Sequence, residues 1–248
     1  MKTKIVAVIN QKGGTGKTTT TINLGSALSK LGYKVLLLDL DPQSNLSYSL
    51  AVTSPDATLA EAFLGSKSMQ DILVEKDGLW VAPGSNELVD VEISLVSQPE
   101  REKFLKSLLS EIKGFDYVLI DCPPSLSVLT LNALTAAHEV LIPLQMEVLT
   151  LQGLDQITNT IDKVKKAFNP KLKIKGIVVV MFDIRRKLSL EVLEYLRENV
   201  QEKIFDSYIR LNVKLAEAPS FGKSILDYDG TSNGAKDYSA LAVEFSKS

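Results

Sequence analysis

The chain holds a single cysteine, Cys122, a single histidine, His138, and a single tryptophan, Trp80, among 248 residues. One cysteine excludes a disulfide framework, a four-cysteine metal site and a cluster held by the cysteines of one chain. One histidine leaves acid–base chemistry to the carboxylates. No apolar run approaches the ~20 residues of a membrane span, and no signal-peptide pattern precedes the first strand pattern. Neither sign of charge dominates, with 28 Lys and Arg against 30 Asp and Glu. The expectation is a cytoplasmic protein with no membrane partner. The length suits one α/β domain over residues 1–248, with a core on both faces of a sheet.

The charge balance conceals an asymmetry. Between Lys163 and Lys223, fourteen Lys and Arg stand against seven Asp and Glu. Such a surplus either forms a face for a polyanion or is spread over solvated helix faces.

What is present is concentrated first in Asn10 to Thr19, which reads N-Q-K-G-G-T-G-K-T-T. The apolar run Ile5 to Ile9 leads in and a helical pattern from Thr18 to Leu31 leads out. Strand, glycine-rich loop and Lys-Thr opening a helix make a phosphate cradle. Gly13, Gly14 and Gly16 let the backbone N–H groups turn inward, and the helix N-terminus adds a favourable field for anions. Lys17 reaches the outer phosphates and the Thr18 hydroxyl suits Mg²⁺. The plain G-x-x-x-x-G-K-[ST] spacing is not met; the pattern here is K-G-G-x-G-K-T, with a second lysine, Lys12, ahead of the glycines.

Two further apolar runs end in carboxylates. Lys34 to Leu38 delivers Asp39-Leu40-Asp41-Pro42-Gln43, and Asp116 to Ile120 delivers Asp121-Cys122-Pro123-Pro124-Ser125. Both are read as buried strands whose carboxyl ends carry the ligand in an open α/β sheet. Asp39 and Asp41, two apart, share one side of the chain. An Asp after four apolar residues is the pattern that braces a Mg²⁺ water against the Thr18 side.

K-G-G-x-G-K-T, D-x-D-P-Q, D-C-P-P-S and the stretch N-V-K-L-A-E-A-P-S from Asn212 to Ser220 together resemble the deviant Walker A ATPases. These belong to the SIMIBI class of P-loop proteins and include ParA/Soj, MinD, the nitrogenase iron protein and the arsenite-pump ATPase. The small ParA/Soj partitioning ATPases match best, from Lys4 to about Phe245. The resemblance implies a single-domain, mostly parallel, doubly wound sheet flanked by helices, without an N-terminal DNA-binding extension. It implies ATP and Mg²⁺, with nucleotide held by Lys12, Gly13, Gly14, Thr15, Gly16, Lys17, Thr18 and Thr19, and by Met181 and Asn212 near the base. Asp41 would orient the attacking water, with Lys12 and Lys17 on the phosphates; Thr18, Asp39 and Asp121 would surround the metal. Lys12 would cross to the nucleotide of a second copy in an ATP-dependent homodimer. That dimer would bind double-stranded DNA without sequence preference, through Arg185, Arg186, Lys187, Arg210 and Lys214. A ParB-like activator would stimulate hydrolysis, and the protein would associate with the nucleoid. The chain departs from the family at Thr15 and Ser44, where relatives often carry valine and glycine. It also reads Arg210-Leu211 where the family has Pro-Arg. A MinD-like membrane-cycling ATPase is the alternative, but Ala235 to Ser248 is no basic amphipathic tail. A small-molecule ATP-dependent synthetase would share the fold without the N-V-K-L-A-E-A-P-S stretch.

Elsewhere the pattern predicts a short helix capped by Thr58 with Glu61 completing a capping box, and a strand over Leu79 to Ala82. A helix is expected from Ser97 or Gln98 with Pro99 near its first position. Helices are also expected over Leu126 to Ala137, Thr150 to Phe168, Ser189 to Val200 and Ser232 to Phe245. Strands are expected over Val140 to Leu144, Lys175 to Met181 and, briefly, Lys203 to Phe205. Trp80, Cys122 and His138 are read as structural.

Overall fold

Buried on both faces, a parallel strand carries continuous apolar residues rather than alternating ones. Five segments have this character, and each forms a strand in the computed structural model, which describes residues 3–147 and 150–248. In chain order the elements are β1 (Lys4–Val8), α1 (Lys17–Lys30), β2 (Val35–Asp39), α2 (Asn45–Ser49), α3 (Leu59–Phe63), β3 (Val74–Lys76), β4 (Leu79–Ala82), α4 (Leu88–Leu95), α5 (Phe104–Ser110) and β5 (Tyr117–Asp121). There follow α6 (Val128–Ala136), β6 (Glu139–Gln145), α7 (Thr150–Ala167), β7 (Lys173–Val180), α8 (Lys187–Asn199), α9 (Val213–Glu217), a 3₁₀ turn (Ala218–Phe221), α10 (Ile225–Tyr228) and α11 (Asn233–Lys247). The sheet order is β3-β4-β2-β5-β1-β6-β7. Every pairing is parallel except β3 with β4.

Helices cover both faces, so two cores form. One lies under α3 to α7 and contains Leu36, Leu38, Ile120, Leu129 and Ile157. The other lies under α1 and α11 and contains Leu24, Leu28, Leu37, Leu119, Tyr238 and Phe245. Leu36 and Leu37 fall in different cores because successive side chains of a strand point to opposite faces. Gly25 lets α1 press onto the sheet: a Cβ there would stand 2.6 Å from Leu37 Cδ2.

The Thr58 cap forms as read, with Ala60 N–H donating to Thr58 Oγ1 and Thr58 N–H donating to Glu61. Trp80 packs edge-on to Phe115, and His138 Nδ1 accepts from Ile5 N–H at 3.0 Å. Cys122 is fully buried, and burial holds its thiol well above the usual range. Two expectations need correction. No helix starts at Ser97 or Gln98. Residues 96–103 form turns, Glu100 takes a left-handed φ of 52°, and the helix starts at Phe104. The stretch Lys203 to Phe205 is no strand but a single bridge, Ile177 with Ile204. Ser207 N–H, the next donor in the ladder after Phe205 N–H, is taken by the Glu244 carboxylate.

Candidate nucleotide site

β1 stops at Val8 and α1 starts at Lys17, and the loop between them is held open from beneath. Asn10 is buried; its Nδ2 donates to Pro143 O at 2.7 Å and its Oδ1 accepts from Lys12 N–H at 2.9 Å. Gly14 and Gly16 have φ of 73° and 74°, the left-handed region that side chains other than glycine's rarely adopt. Neither a side-chain cap nor an acidic residue occupies the first turn of α1. Its unpaired N–H groups are therefore available to an anion. The resulting cavity, about 460 Å³, is lined by Gly13 to Thr19, Asp41, Gln43, Asn45, Ser49, Pro124 and Met181.

Lys17 lines this cavity and is buried, with Nζ 3.3 Å from Lys12 O. Burial lowers its pKa, while the charges of Asp121 and Asp41 work the other way. Thr18 donates from Oγ1 to Asp121 Oδ2 at 2.6 Å. Asp121 is 1% exposed, and its Oδ1 has no partner among the described residues. Burial, then the neighbouring Asp39, pushes its pKa well up. Asp39 sits opposite Asp121 in the β2–β5 register. Its Oδ2 accepts from Ser47 N–H (2.8 Å) and Ser47 Oγ (2.6 Å), while Oδ1 is unpartnered. Burial pushes the Asp39 pKa up to about 6. Asp41, at the cavity wall, accepts from Gln43 N–H at 3.0 Å. Ser44, just beyond, takes a left-handed φ of 53°, a conformation that favours glycine.

Two orphaned carboxylate oxygens, a hydroxyl and a phosphate cradle are a donor set of hard oxygens. This fits Mg²⁺, which takes one or two carboxylates and completes its shell with waters and substrate phosphates. Among the described residues no group of three or more His, Cys, Asp or Glu is placed to hold a metal alone.

A second, more apolar cavity of about 240 Å³ opens beside Gly16 and Thr19, lined by Met181, Asn212, Leu215 and Tyr238 among others. Met181 borders both cavities in a left-handed conformation, φ 53°. Asn212 caps α9 by accepting from Lys214 N–H at 2.8 Å, so its amide NH₂ remains to offer a base. Lys12 is absent from the phosphate cavity lining. It is 59% exposed and its Nζ lies 2.6 Å from Glu147 Oε2.

The bridge between Phe182 and Arg210 sets the segment carrying Arg185, Arg186 and Lys187 beside the one carrying Arg210 and Lys214. Four of these cations already have carboxylate partners. Arg185 pairs with Asp183, Lys187 with Glu191, Lys214 with Glu217, and Arg210 with Asp237. Arg186 has no ion pair among the described residues. Sequence reading missed Ser47, which holds Asp39, and Gln145, which donates to Gly14 O at 3.1 Å. Gln145 reaches across 131 residues and Ser47 across the turn after β2, and no local pattern marks either.

A protein-family profile described as an AAA domain matches residues 3–174. The chromosome partitioning protein ParA of Myxococcus xanthus (strain DK1622) is 44% identical over 249 residues, covering 98% of this chain and 88% of that one. The chromosome-partitioning ATPase Soj of Treponema pallidum (strain Nichols) is 42% identical, covering 97% and 96%. A solved structure titled cobyrinic acid a,c-diamide synthase from Mycobacterium smegmatis, with bound ADP and magnesium, superimposes with a TM-score of 0.85. It is 37% identical, covering 97% of this chain and 93% of that one. ATP with Mg²⁺ is accordingly the cofactor pair of this chain, and the protein is an ATPase. Its motifs, its sheet and these similarities agree, and the chain belongs to the ParA/Soj family of partitioning ATPases.

Proposed function

We propose that the chain pairs with a second copy when ATP is bound, and that the pair holds duplex DNA until hydrolysis releases it. The observation that carries this reading is the divergence of the two lysines. Lys17 lines its own phosphate cavity, whereas Lys12 leaves it and is exposed. A loop lysine that does not serve its own nucleotide is suited to a facing one. Lys17, Gly13 to Gly16 and the first N–H groups of α1 grip the triphosphate. Thr18, Asp121 and Asp39 hold the metal side. Bound Mg²⁺ supplies charge neutralisation at the phosphate oxygens. Asp41 orients the attacking water, and Met181 and Asn212 flank the base. The γ-phosphate then acts as a switch, since its loss removes what both lysines grip.

The DNA contact belongs to the surface of Arg185, Arg186, Lys187, Arg210 and Lys214. Two copies of that surface would add avidity to weak, sequence-neutral phosphate contacts. A ParB-like activator and a nucleoid location complete the reading. Among the described residues no helix is long and apolar enough to cross a membrane. The test is sedimentation and duplex-DNA binding with ATP, with ADP and without nucleotide, at two salt concentrations. Doubled mass and salt-sensitive binding with ATP alone are expected. Unchanged mass in all three states would refute the pairing. ATP turnover without any small-molecule acceptor separates this reading from a synthetase.

A further inference from the structure

Met181 is the exposed sulfur-bearing side chain among the described residues. It is 42% exposed, whereas Met69, Met146 and Cys122 are buried. It follows β7 directly and borders both the phosphate cavity and the more apolar one beside it. Its left-handed φ of 53° is rarely adopted by a residue other than glycine. The chain fixes it there, because the next N–H, that of Phe182, donates to Ile209 O at 2.9 Å. Backbone held in such a region clusters at ligand sites.

The side chain presses on the phosphate loop. A Cβ added to Gly16 would stand 3.7 Å from Met181 Cε. Gln145 ties the two together: its Nε2 donates to Gly14 O at 3.1 Å and to Met181 Sδ. A thioether sulfur is a weak acceptor, so it competes little with the loop carbonyl for this amide. A soft, apolar thioether also suits the face of a base. The same sulfur is open to mild oxidants, and exposure decides which methionines they reach.

We propose that Met181 is a site of reversible oxidation, and that its sulfoxide weakens nucleotide binding. Hydrogen peroxide supplies the oxygen. The sulfur lone pair attacks, an S–O bond forms as the O–O bond breaks, and the proton on the transferred oxygen passes to the departing hydroxide, which leaves as water. The sulfur loses two electrons and the peroxide gains them. The product is polar and bulkier where the base packs. Its oxygen accepts more strongly than the thioether did, and it draws the Gln145 amide from Gly14 O. Base and phosphate loop are thereby disturbed together. The inference rests on placing the base beside Met181; it needs neither the pairing nor the DNA contact.

The test treats the full chain with hydrogen peroxide, with and without MgATP, and follows each methionine by peptide mass spectrometry. Met181 is expected to gain one oxygen atom well before Met69 and Met146, and MgATP should slow that gain. The oxidised chain should bind a fluorescent ATP analogue about tenfold more weakly, the cost of one polar group set against an apolar surface. Reductases for both sulfoxide epimers should restore the affinity. Met181→Leu has an affinity of its own, and peroxide should leave that value unchanged, which assigns the loss to one sulfur. The oxidation measurements use the unaltered chain and need no substitution to fold. Equal oxidation of the buried and exposed methionines overturns the inference. So does an oxidised chain that binds ATP like the parent, or a Met181→Leu chain that peroxide weakens equally. ATP that binds normally yet leaves the oxidation rate unchanged would overturn the placing of the base, and the inference with it.

Discussion

Asp39 and Asp121 stand opposite one another on adjacent parallel strands, and each keeps one carboxylate oxygen that no described group satisfies. Two buried carboxylates side by side are costly unless a cation joins them. The site is thus built at the expense of the empty protein's stability, and the cost has a sign that pH reveals.

Burial raises Asp39 from 3.8 in the unfolded chain to about 6 in the fold. The folded state therefore holds this proton more tightly than the unfolded one. Below pH ~4 the group carries no penalty; stability falls as pH rises from ~4 to ~6 and stays reduced above that. The penalty is on the order of 3 kcal/mol. Asp39→Asn should stabilise the protein in EDTA at pH 8 by about that much, and the gain should vanish towards pH 4. Urea unfolding at both pH values measures it. MgATP should then stabilise the parent chain more than the variant, because only the parent offers the carboxylate.

Gly25 should pay a stability cost even for a methyl group. An added Cβ would meet Leu37 Cδ2 at 2.6 Å and Leu119 Cδ1 at 3.5 Å, and both leucines are fully buried. Overpacking costs about 1–3 kcal/mol, and alanine's better helix propensity offsets about 1 kcal/mol of it. Gly25→Ala should lose about 1 kcal/mol in urea unfolding and, by shifting α1, weaken nucleotide binding as well.

Much of this was legible in the chain because the fold's logic is local where the strands are. The runs ending at Asp39 and Asp121 are apolar throughout because both faces are covered, and the carboxylates end them at the rim where ligands bind. The Thr58 cap was equally readable, since donor and acceptor lie three residues apart. α4 and β3 were not readable. α4 is eight residues with an apolar stripe left exposed, so periodicity does not separate its inner from its outer face. β3 is three residues held only by its antiparallel partner. The state of the basic surface was also hidden, because Arg210 and Asp237 meet across 27 residues.

Asp41 lines the phosphate cavity, and its carboxylate accepts from Gln43 N–H. Asp41→Ala should leave ATP binding nearly unchanged, because the loop and Lys17 provide the grip. Turnover should fall by about a hundredfold or more if the carboxylate orients the attacking water. Steady-state phosphate release and a nucleotide-binding titration separate the two effects. Turnover close to that of the parent would remove Asp41 from the chemistry.

The pairing of the surface cations predicts unequal roles in DNA binding. Arg210 is held by Asp237 through Nε (3.0 and 3.2 Å) and Nη2 (2.6 Å), and its backbone N–H donates to the same carboxylate. A guanidinium fixed in that way joins α11 to the segment after the bridge and has few donors left for a phosphate. Arg186 has no carboxylate partner among the described residues and is free to release a counterion on binding. Arg186→Ala should therefore lower the slope of log K against log salt by about 0.9 in ATP-dependent binding to duplex DNA, one contact's worth. Arg210→Ala should change that slope little. It should instead cost about 1–3 kcal/mol of stability by leaving the buried Asp237 carboxylate unpaired. A titration of DNA affinity across salt, set beside urea unfolding of the same two variants, gives opposite orderings if this is correct. Equal loss of slope in both would mean that Asp237 releases Arg210 when DNA arrives.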